Sequence, residues 1–272
     1  MRTSEEKATK LSRKELARAC AESFTDCWTL AYASSPKKVL WQEPDMTLFS
    51  TGGKSDLQNG VLKARFTTSN MTIRTKKALE YFKTRQLPMA WYVDPWSTPA
   101  RLGLFLRKLG LTPKEKIPCM AMYLNRVKRK PLPAGLSIRP VTDLKSHRTC
   151  VTTAYRGFGR RKTENDQWRE IYMGLGFGPT KRWFTGFLDG KPVASSLLLL
   201  QGGLATVWIV ATRKEARGRG IGTAMTREAL LLAKELDYDY AVIQSSSMGL
   251  PVYKNMGFVE YSRIKTYFWK PD

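Results

Sequence analysis

The chain has 272 residues, of which 42% are hydrophobic, and its 46 lysines and arginines against 23 acidic residues give a formal net charge of +23. This composition predicts a folded globular protein and argues against disorder, and no apolar run reaches the roughly 18 residues of a membrane helix. Four scattered cysteines and a single histidine argue against a zinc site and a histidine-dependent triad. We therefore expect a cytoplasmic protein with reduced cysteines, no membrane segment and no metal.

The first half of the chain predicts a long helix followed by short strands and two further helices. Leu16, Cys20, Phe24 and Cys27 recur at helical spacing, which is typical of a helix with one buried face. The patterning predicts helices at 2–34, 72–84 and 98–109 and strands at 47–50, 61–66, 89–93 and 119–124.

A basic and then proline-rich segment, residues 125–135, separates the two halves. It has no hydrophobic periodicity, as is usual for a linker. We predict an N-terminal domain at 1–130, a linker at 131–135 and a C-terminal domain at 136–272. A nucleic-acid-binding patch is the alternative interpretation of the same basic run.

The second half alternates strands with helices after an antiparallel meander. The pair Asp189-Gly190 between two apolar runs is a strong hairpin signal. Strands are predicted at 136–139, 183–188, 193–200, 205–212, 240–244 and 264–269, and helices at 142–155, 164–173, 222–236 and 251–256. This order predicts a mixed α/β sheet flanked by helices.

The segment most suggestive of chemistry is the turn between the strand at 205–212 and the helix at 222–236. It contains Gly218, Gly220 and Gly222, together with two arginines. Glycine permits a positive φ and close approach of a ligand to the backbone, and free N–H groups at a helix start bind phosphate. The spacing is neither that of a Walker loop nor the dinucleotide-binding G-x-G-x-x-G pattern.

This turn resembles the acetyl-CoA loop of the GCN5-related N-acetyltransferase (GNAT) superfamily, whose pattern is Gln/Arg-x-x-Gly-x-Gly/Ala. Residues 217–222, Arg-Gly-Arg-Gly-Ile-Gly, match each defined position. Residues 253–258, Tyr-Lys-Asn-Met-Gly-Phe, resemble the second hallmark of the family, and residues 136–143 resemble its opening strand. The resemblance covers residues 136–272, with the motifs in the family's order.

The resemblance implies an α/β fold of two tandem GNAT-like domains, each a mixed and mostly antiparallel sheet flanked by helices, with catalysis in the second. It also implies acetyl-CoA as the cosubstrate. The implied cofactor-binding residues are Val210, Ala211, Thr212, Arg217, Gly218, Arg219, Gly220, Ile221, Gly222, Thr223 and Ser246. Ser246 departs from the family pattern, because many relatives carry Asn at that position.

Tyr253 matches the position of the family's general acid, which protonates the departing thiolate of coenzyme A. The attacking amine must be neutral, and deprotonating an alkyl ammonium of pKa ~10.4 at pH 7 costs about 4.6 kcal/mol. A base or a water relay is therefore expected. The candidates are Glu164, Asp166, Glu170 and His147, although such residues also occur on ordinary solvated helix faces.

The first half resembles a degenerate copy of the second. Its order of strand, helix, glycine and strand parallels that of residues 240–269, and Leu106 stands where Tyr253 stands in the second copy. No Arg-x-x-Gly-x-Gly loop precedes residue 135. We expect this half either to shape the acceptor cleft or only to pack, and the aromatic candidates for the cleft are Trp91, Tyr92 and Trp96.

The sequence as a whole predicts transfer of an acetyl group from acetyl-CoA to a primary amine, with a small-molecule amine favoured by the two-domain build. A protein or peptide amine is also considered, preferably on an acidic partner because of the +23 charge. The alternatives are a non-enzymatic nucleic-acid- or ribosome-binding module on the same scaffold, and an acyltransferase that takes a longer chain near 197–199 and Trp208.

Overall fold

The computed structural model describes residues 11–36, 38–159 and 162–271, without the side chains of 162–166. The helices are α1 (Arg13–Ala33), α2 (Met71–Lys83), α3 (Leu102–Lys108), α4 (Leu144–Gly157), α5 (Lys162–Leu175), α6 (Ile221–Glu235) and α7 (Leu250–Met256). The strands are β1 (Val39–Glu43), β2 (Met46–Ser50), β3 (Asn59–Leu62), β4 (Met89–Val93), β5 (Thr112–Tyr123), β6 (Leu136–Pro140), β7 (Lys181–Leu188), β8 (Lys191–Gln201), β9 (Leu204–Thr212), β10 (Tyr240–Gln244) and β11 (Val259–Trp269). None of the helices in these ranges is long and apolar enough to cross a membrane.

The strands form one mixed sheet in the order β1-β2-β3-β4-β11-β5-β10-β9-β8-β7-β6. The two halves of the chain exchange strands at its centre. Strand β5 lies between β10 and β11, and β11 lies between β4 and β5. Each exchanged strand therefore pairs only with strands of the other half. The predicted mixed α/β fold is confirmed, and the division at residues 131–135 stays a prediction.

The helices cover both faces of this sheet and enclose three apolar cores. One core lies beneath α1, α4 and α5, a second lies beneath α6 and α7, and a third belongs to the N-terminal strands with α2 and α3. All four cysteines are free and buried, and burial raises the pKa of Cys119 and Cys150 to about 12. These thiols are therefore packing groups that stay protonated at neutral pH.

Helix α1 belongs to the first half of the chain but packs on strands of the second. Its Ser23 hydroxyl hydrogen-bonds the Thr206 hydroxyl of β9 at 2.8 Å. The Trp28 ring lies 5.7 Å from that of Trp208 and 5.8 Å from that of Trp168, between ring centroids. Ordered side chains thus fix α1 against β9 and α5, on the face of the sheet opposite α6.

The main error in the predicted elements concerns β5, which begins at Thr112 rather than at residue 119. Pro113 and Pro118 in this stretch are residues that disfavour a strand. Both lie where β5 pairs with β11 alone, because β10 pairs only with residues 119–123. Proline is tolerated there, since no second ladder requires its missing N–H.

The remaining differences concern boundaries and one missed element. Strand β1 was not predicted, and β11 begins at Val259 instead of residue 264. The strand predicted at 61–66 is observed at Asn59–Leu62. The predicted helix at 2–34 corresponds to α1, and its first part, residues 2–10, lies outside the described residues.

Candidate active site

The site begins at strand β9, which is paired along only part of one edge. Its parallel pairing with β10 covers Ala205 and Thr206, opposite Ala241 and Val242. Beyond Thr206, β9 no longer pairs with β10, although β10 continues to pair with β5 on its other side. Backbone N–H and C=O groups of β9 are therefore open to a ligand that lies along this edge like an added strand.

A β-bulge lies in the same part of β9. Ser195 of β8 stands opposite Ala211 and Leu197 stands opposite Trp208, so two residues of β9 face one residue of β8. Ile209 within the bulge has a φ of 50°, which is rare for a β-branched residue. Its carbonyl accepts a hydrogen bond from the Ser195 hydroxyl at 3.1 Å. Such bulges redirect backbone groups, often beside active sites.

The glycine loop connects β9 to α6 with two residues in left-handed conformation. Gly218 has a φ of 77° and Gly220 has a φ of 72°. A Cβ added to Gly218 would meet no atom within 4 Å, and one added to Gly220 would meet only Pro133 Cγ at 3.8 Å. These glycines are therefore required by the turn itself, and the space above the loop is open.

The backbone of this loop presents a set of unused hydrogen-bond donors. Among the described residues, no group accepts a hydrogen bond from the N–H groups of residues 218–223. Helix α6 is 15 residues long, and its dipole adds positive potential at this end. Together these groups can bind the oxygens of a diphosphate.

Arg217 ties the glycine loop to its surroundings. Its Nε donates to the Thr212 carbonyl at 3.0 Å, and its Nη2 donates to the Gly157 carbonyl at the end of α4 at 2.8 Å. Arg219 lies exposed on the same loop. Arg217 thus holds the loop against β9 and α4, and its positive charge lies beside the free N–H groups. A direct phosphate contact by Arg217 or Arg219 stays a prediction.

Tyr253 projects from α7 into the core beneath α6. The side chain is 9% exposed. Burial raises the pKa of its phenol to about 12, and a hydrogen bond with the Thr226 hydroxyl opposes that rise. The Thr226 hydroxyl itself donates to the Gly222 carbonyl at 2.9 Å. The structure therefore brings the phenol within one side chain of the glycine loop.

The turn before α7 fixes the position of this phenol. A Cβ added to Gly249 would lie 2.9 Å from Cε2 of Tyr253 and 3.1 Å from the Ser245 hydroxyl oxygen, so the tyrosine ring packs directly on the glycine. The Ser246 hydroxyl accepts a hydrogen bond from the Gly249 N–H at 3.2 Å. Ser246 is exposed and stabilises this turn, and its contact with a cofactor stays a prediction.

The candidate bases occupy different environments. His147 is buried, and its ring lies 5.3 Å from the rings of Phe177 and Trp183. Burial lowers the pKa of this imidazole. Glu170 is exposed on α5. The side chains of Glu164 and Asp166 lie outside the described residues, and none of these groups is brought to Tyr253 by an observed contact.

At the position that corresponds to Tyr253, the N-terminal half carries an apolar side chain. Leu106 is fully buried in the third core. Trp91 and Tyr92 point to opposite faces of β4, since Trp91 packs in the third core and Tyr92 packs in the core beneath α1. Trp91 is therefore a packing residue. The Tyr92 ring lies 6.4 Å from the Trp28 ring, between centroids, in the junction between the halves. Trp96 lines a surface cleft beside Arg65.

Comparison with known protein families gives a match within the second half of the chain. Residues 147–258 match the family model described as "Acetyltransferase (GNAT) family". This range includes the glycine loop and Tyr253. No curated protein sequence matches the chain significantly.

Solved structures share the fold over nearly the whole chain. A GCN5-related N-acetyltransferase from Kribbella flavida is 15% identical with a TM-score of 0.68, and the match covers 94% of this chain and 96% of that one. A tandem GNAT protein from the clavulanic acid biosynthesis pathway is 13% identical with a TM-score of 0.61, covering 96% and 98%. A glucosamine N-acetyltransferase region of a fungal multi-domain β-N-acetylglucosaminidase is 13% identical with a TM-score of 0.64, covering 94% and 37%.

Residues 147–258 therefore resemble the GNAT family, and the chain as a whole has the fold of solved GNAT structures, as the predicted α/β fold of two GNAT-like domains requires. The degeneracy of the N-terminal half stays a prediction. Sequence reasoning missed Thr226 and Gly249. Thr226 follows Gly222 by one helical turn, a spacing that could have indicated a neighbour of the loop. No local signal marked the packing of Gly249 on the tyrosine ring.

Proposed function

We propose that the protein is an N-acetyltransferase that moves an acetyl group from acetyl-CoA to a primary amine. The observation that carries this proposal is the juxtaposition of unused N–H groups at residues 218–223 with a buried phenol linked to them through Thr226. The family match supports the same chemistry.

The cosubstrate lies along β9 in this proposal. The diphosphate rests on the N–H groups of residues 218–223, and the pantetheine amides pair with the open edge at Val210, Ala211 and Thr212. A backbone N–H near the bulge polarises the thioester carbonyl and stabilises the oxyanion that forms on attack. The amine forms a C–N bond, the C–S bond breaks, and coenzyme A leaves as a thiolate.

Tyr253 protonates that thiolate in the last step. Its pKa of about 12 keeps the phenol protonated at neutral pH, as an acid must be. Transfer to a thiolate whose conjugate acid has a pKa of ~8.5 is uphill by about 5 kcal/mol in this environment. A hydrogen bond from the phenol to the developing thiolate lowers this cost because the charge never develops unshielded. The acetylated nitrogen releases its extra proton to solvent, and the phenolate left after the transfer takes up a proton from solvent.

The acceptor is proposed to be a small-molecule amine that approaches from the α1 side of β9. Trp208 is partly exposed and precedes the bulge, beside Trp28 of α1, and aromatic faces bind both apolar and cationic groups. The fungal neighbour acts on glucosamine according to its description. Leu197, Leu198 and Leu199 are buried in the cores, which disfavours a longer acyl chain in their place.

Calorimetric titration with acetyl-CoA, at low and at moderately high salt, tests the cosubstrate. We expect saturable one-site binding that survives salt, and acetyl transfer to at least one member of an amine panel. Gly220→Trp should abolish binding by filling the space above the loop. Gly190→Trp is the matched control, since Gly190 is also left-handed with no atom within 4 Å of an added Cβ but lies in the β7–β8 hairpin.

The opposite result identifies the rival function. Absence of acetyl-CoA binding together with salt-sensitive binding of RNA would show a nucleic-acid-binding module on an acetyltransferase scaffold. Binding of acetyl-CoA without transfer to any amine, peptide or protein acceptor would retain the cosubstrate but reject the proposed enzyme.

A further inference from the structure

A strongly basic surface on the N-terminal half takes no part in the proposed chemistry. Helices α2 and α3 pack on the same core and therefore cover the same face of the sheet. Residues 71–86 and 101–110, which contain these helices, expose one carboxylate, that of Glu80, and seven cations; the cations are Lys76, Lys77, Lys83, Arg85, Arg101, Arg107 and Lys108. We call this region the α2–α3 surface, and its excess of positive charge favours an anionic partner.

The cations of the α2–α3 surface are not neutralised by the protein itself. In the part of the chain that the structure describes, none of the seven forms an ion pair with an acidic side chain. By contrast, the less exposed Arg74 of α2 pairs with Glu43 and Asp45. Helix α2 thus pairs its inner cation with carboxylates and leaves its outer cations to solvent, where their mutual repulsion is relieved when an anion binds.

Aromatic rings lie among these cations. Trp41 of the edge strand β1 is 39% exposed, and its ring meets that of Tyr81 edge-on, with 4.9 Å between centroids. The Arg85 guanidinium lies over the Tyr81 ring, 4.2 Å from its centroid. On the other flank of α2, the Lys83 amino group lies 5.9 Å from the centroid of the Trp269 ring. Both flanks of the helix therefore pair a cation with an aromatic ring.

Cations interleaved with aromatic rings suit one kind of anionic partner better than others. In a single strand of nucleic acid the phosphates bind cations, and the unpaired bases stack on aromatic side chains. A duplex keeps the faces of its bases stacked inside, and an acidic polypeptide has no bases. Neither of these partners would use the exposed ring of Trp41.

We propose that the α2–α3 surface binds single-stranded nucleic acid, which gives the N-terminal half a function of its own. This half contains no Arg-x-x-Gly-x-Gly loop. The binding goes beyond the proposed acetyl transfer and does not depend on it, because the surface shares no residue with the candidate active site.

Fluorescence anisotropy with a labelled single-stranded RNA of about 12 nucleotides tests this binding over a range of salt concentrations. We expect log K to fall with log salt concentration with a slope of about −2 to −4, since each neutralised phosphate contributes about −0.7. In Lys77→Gln with Lys108→Gln, the slope should become shallower by roughly 1.4, and the affinity at about 0.1 M salt should fall about tenfold or more. Lys145→Gln with Lys191→Gln is the matched control, because it removes the same charge from exposed lysines of the C-terminal half.

A further variant separates stacking from charge. Trp41→Leu keeps an apolar side chain against Tyr81 but removes the aromatic face. The affinity for RNA should fall about fivefold or more, the contribution of one stacked base, while the salt slope stays unchanged. Melting followed by circular dichroism checks the fold of this variant, and the lysine variants test the proposal even if Trp41→Leu is destabilised.

Two results would overturn the proposal. Equal losses in the two lysine double variants would show that only the overall charge of the protein acts. Displacement of the RNA by polyglutamate of similar charge, or by vesicles that contain phosphatidylserine, with no effect of Trp41→Leu, would assign the surface to an acidic protein or a membrane instead. Acetyl-CoA binding should be unchanged in every variant, so neither result affects the proposed function.

Discussion

Burial of Tyr253 has two opposite effects on its use as an acid. It keeps the phenol protonated at every physiological pH, and it makes proton release expensive, since the pKa is raised to about 12. A hydrogen bond with the Thr226 hydroxyl opposes part of that rise in pKa. Substitutions at this position should therefore affect chemistry more than binding.

Tyr253→Phe should lower kcat by about 10²-fold or more, the usual contribution of a general acid, and leave the Kd of acetyl-CoA nearly unchanged. The hydroxyl is lost, while the ring still packs 5.9 Å from Phe258. Steady-state kinetics with calorimetry on the same preparation would measure both effects. Unchanged turnover would remove Tyr253 from the mechanism.

The pH profile gives an independent check of the same residue. A phenol with a pKa of about 12 stays in its acidic form up to that pH, so it gives no falling limb below about pH 10. The rate should instead rise with pH as the amine acceptor loses its proton near pKa ~10.4. A falling limb below pH 10 that Tyr253→Phe abolishes would contradict the raised pKa.

Gly249→Ala should displace the phenol without removing it. The added methyl group would lie 2.9 Å from the tyrosine ring, and relieving such overpacking typically costs about 1–3 kcal/mol. We expect a lower kcat, a lower melting temperature and an unchanged Kd for acetyl-CoA. Gly178→Ala provides the control for alanine at a glycine with open space, since no atom lies within 4 Å of its added Cβ and its φ, like that of Gly249, is outside the left-handed region.

Among individual residues, the sequence predicted only those that belong to contiguous motifs. The glycines and Tyr253 occur in contiguous motifs, so their positions could be assigned from spacing alone. Thr226 and Gly249 act through contacts between α6 and α7, which no local pattern encodes. Arg217 was expected beside phosphate, but its guanidinium also bonds a carbonyl of α4, 60 residues away in the chain.

At the scale of elements, the loop between β9 and α6 depends on Arg217 to join it to β9 and α4. Arg217→Lys keeps the positive charge, but the lysine ammonium lacks the planar guanidinium geometry that bridges the carbonyls of Thr212 and Gly157. We expect acetyl-CoA affinity to fall about tenfold, as for the loss of one charge-assisted hydrogen bond. Arg219→Lys in the same exposed loop is the control. Unchanged affinity in Arg217→Lys would show that the charge alone matters, and an equal loss in both variants would show that the bridge to the two carbonyls has no special role.

The most accurate strand prediction concerns a buried strand, and the main misses, β1 and the first part of β5, are partly exposed. Strand β10 was predicted with its observed bounds because its residues form a short continuous apolar run. The first part of β5 reads Thr-Pro-Lys-Glu-Lys and resembles a loop in isolation. It becomes a strand only because β11 supplies a long partner, and that pairing joins residues more than 140 positions apart, such as Ile117 and Ile264.

At the scale of the whole molecule, the exchanged strands make each half depend on the other. Fragments 1–130 and 136–272, expressed separately, should each lack a cooperative thermal transition, because β5 and β11 then have no partner strands. Mixed or coexpressed fragments should recover it and bind acetyl-CoA. Circular dichroism melting and size-exclusion chromatography would measure this.

Independent folding of either fragment would contradict this dependence. If 136–272 alone melted cooperatively and bound acetyl-CoA, the strand exchange would be dispensable and the predicted boundary would mark two autonomous domains. The control is the full chain cleaved within residues 131–135, which retains every strand pairing.

The exchange also sets an order of events during synthesis. Domains commonly fold from the N-terminus as the chain emerges, but Val93 of β4 pairs with Lys265 and Met89 pairs with Trp269. When the first half leaves the ribosome, one edge of β4 is therefore unpaired, and its partner β11 is translated only near the end of synthesis. Translation of the glycine loop and of Tyr253 precedes that closure, so we expect the protein to acquire its site and its final stability in one late step.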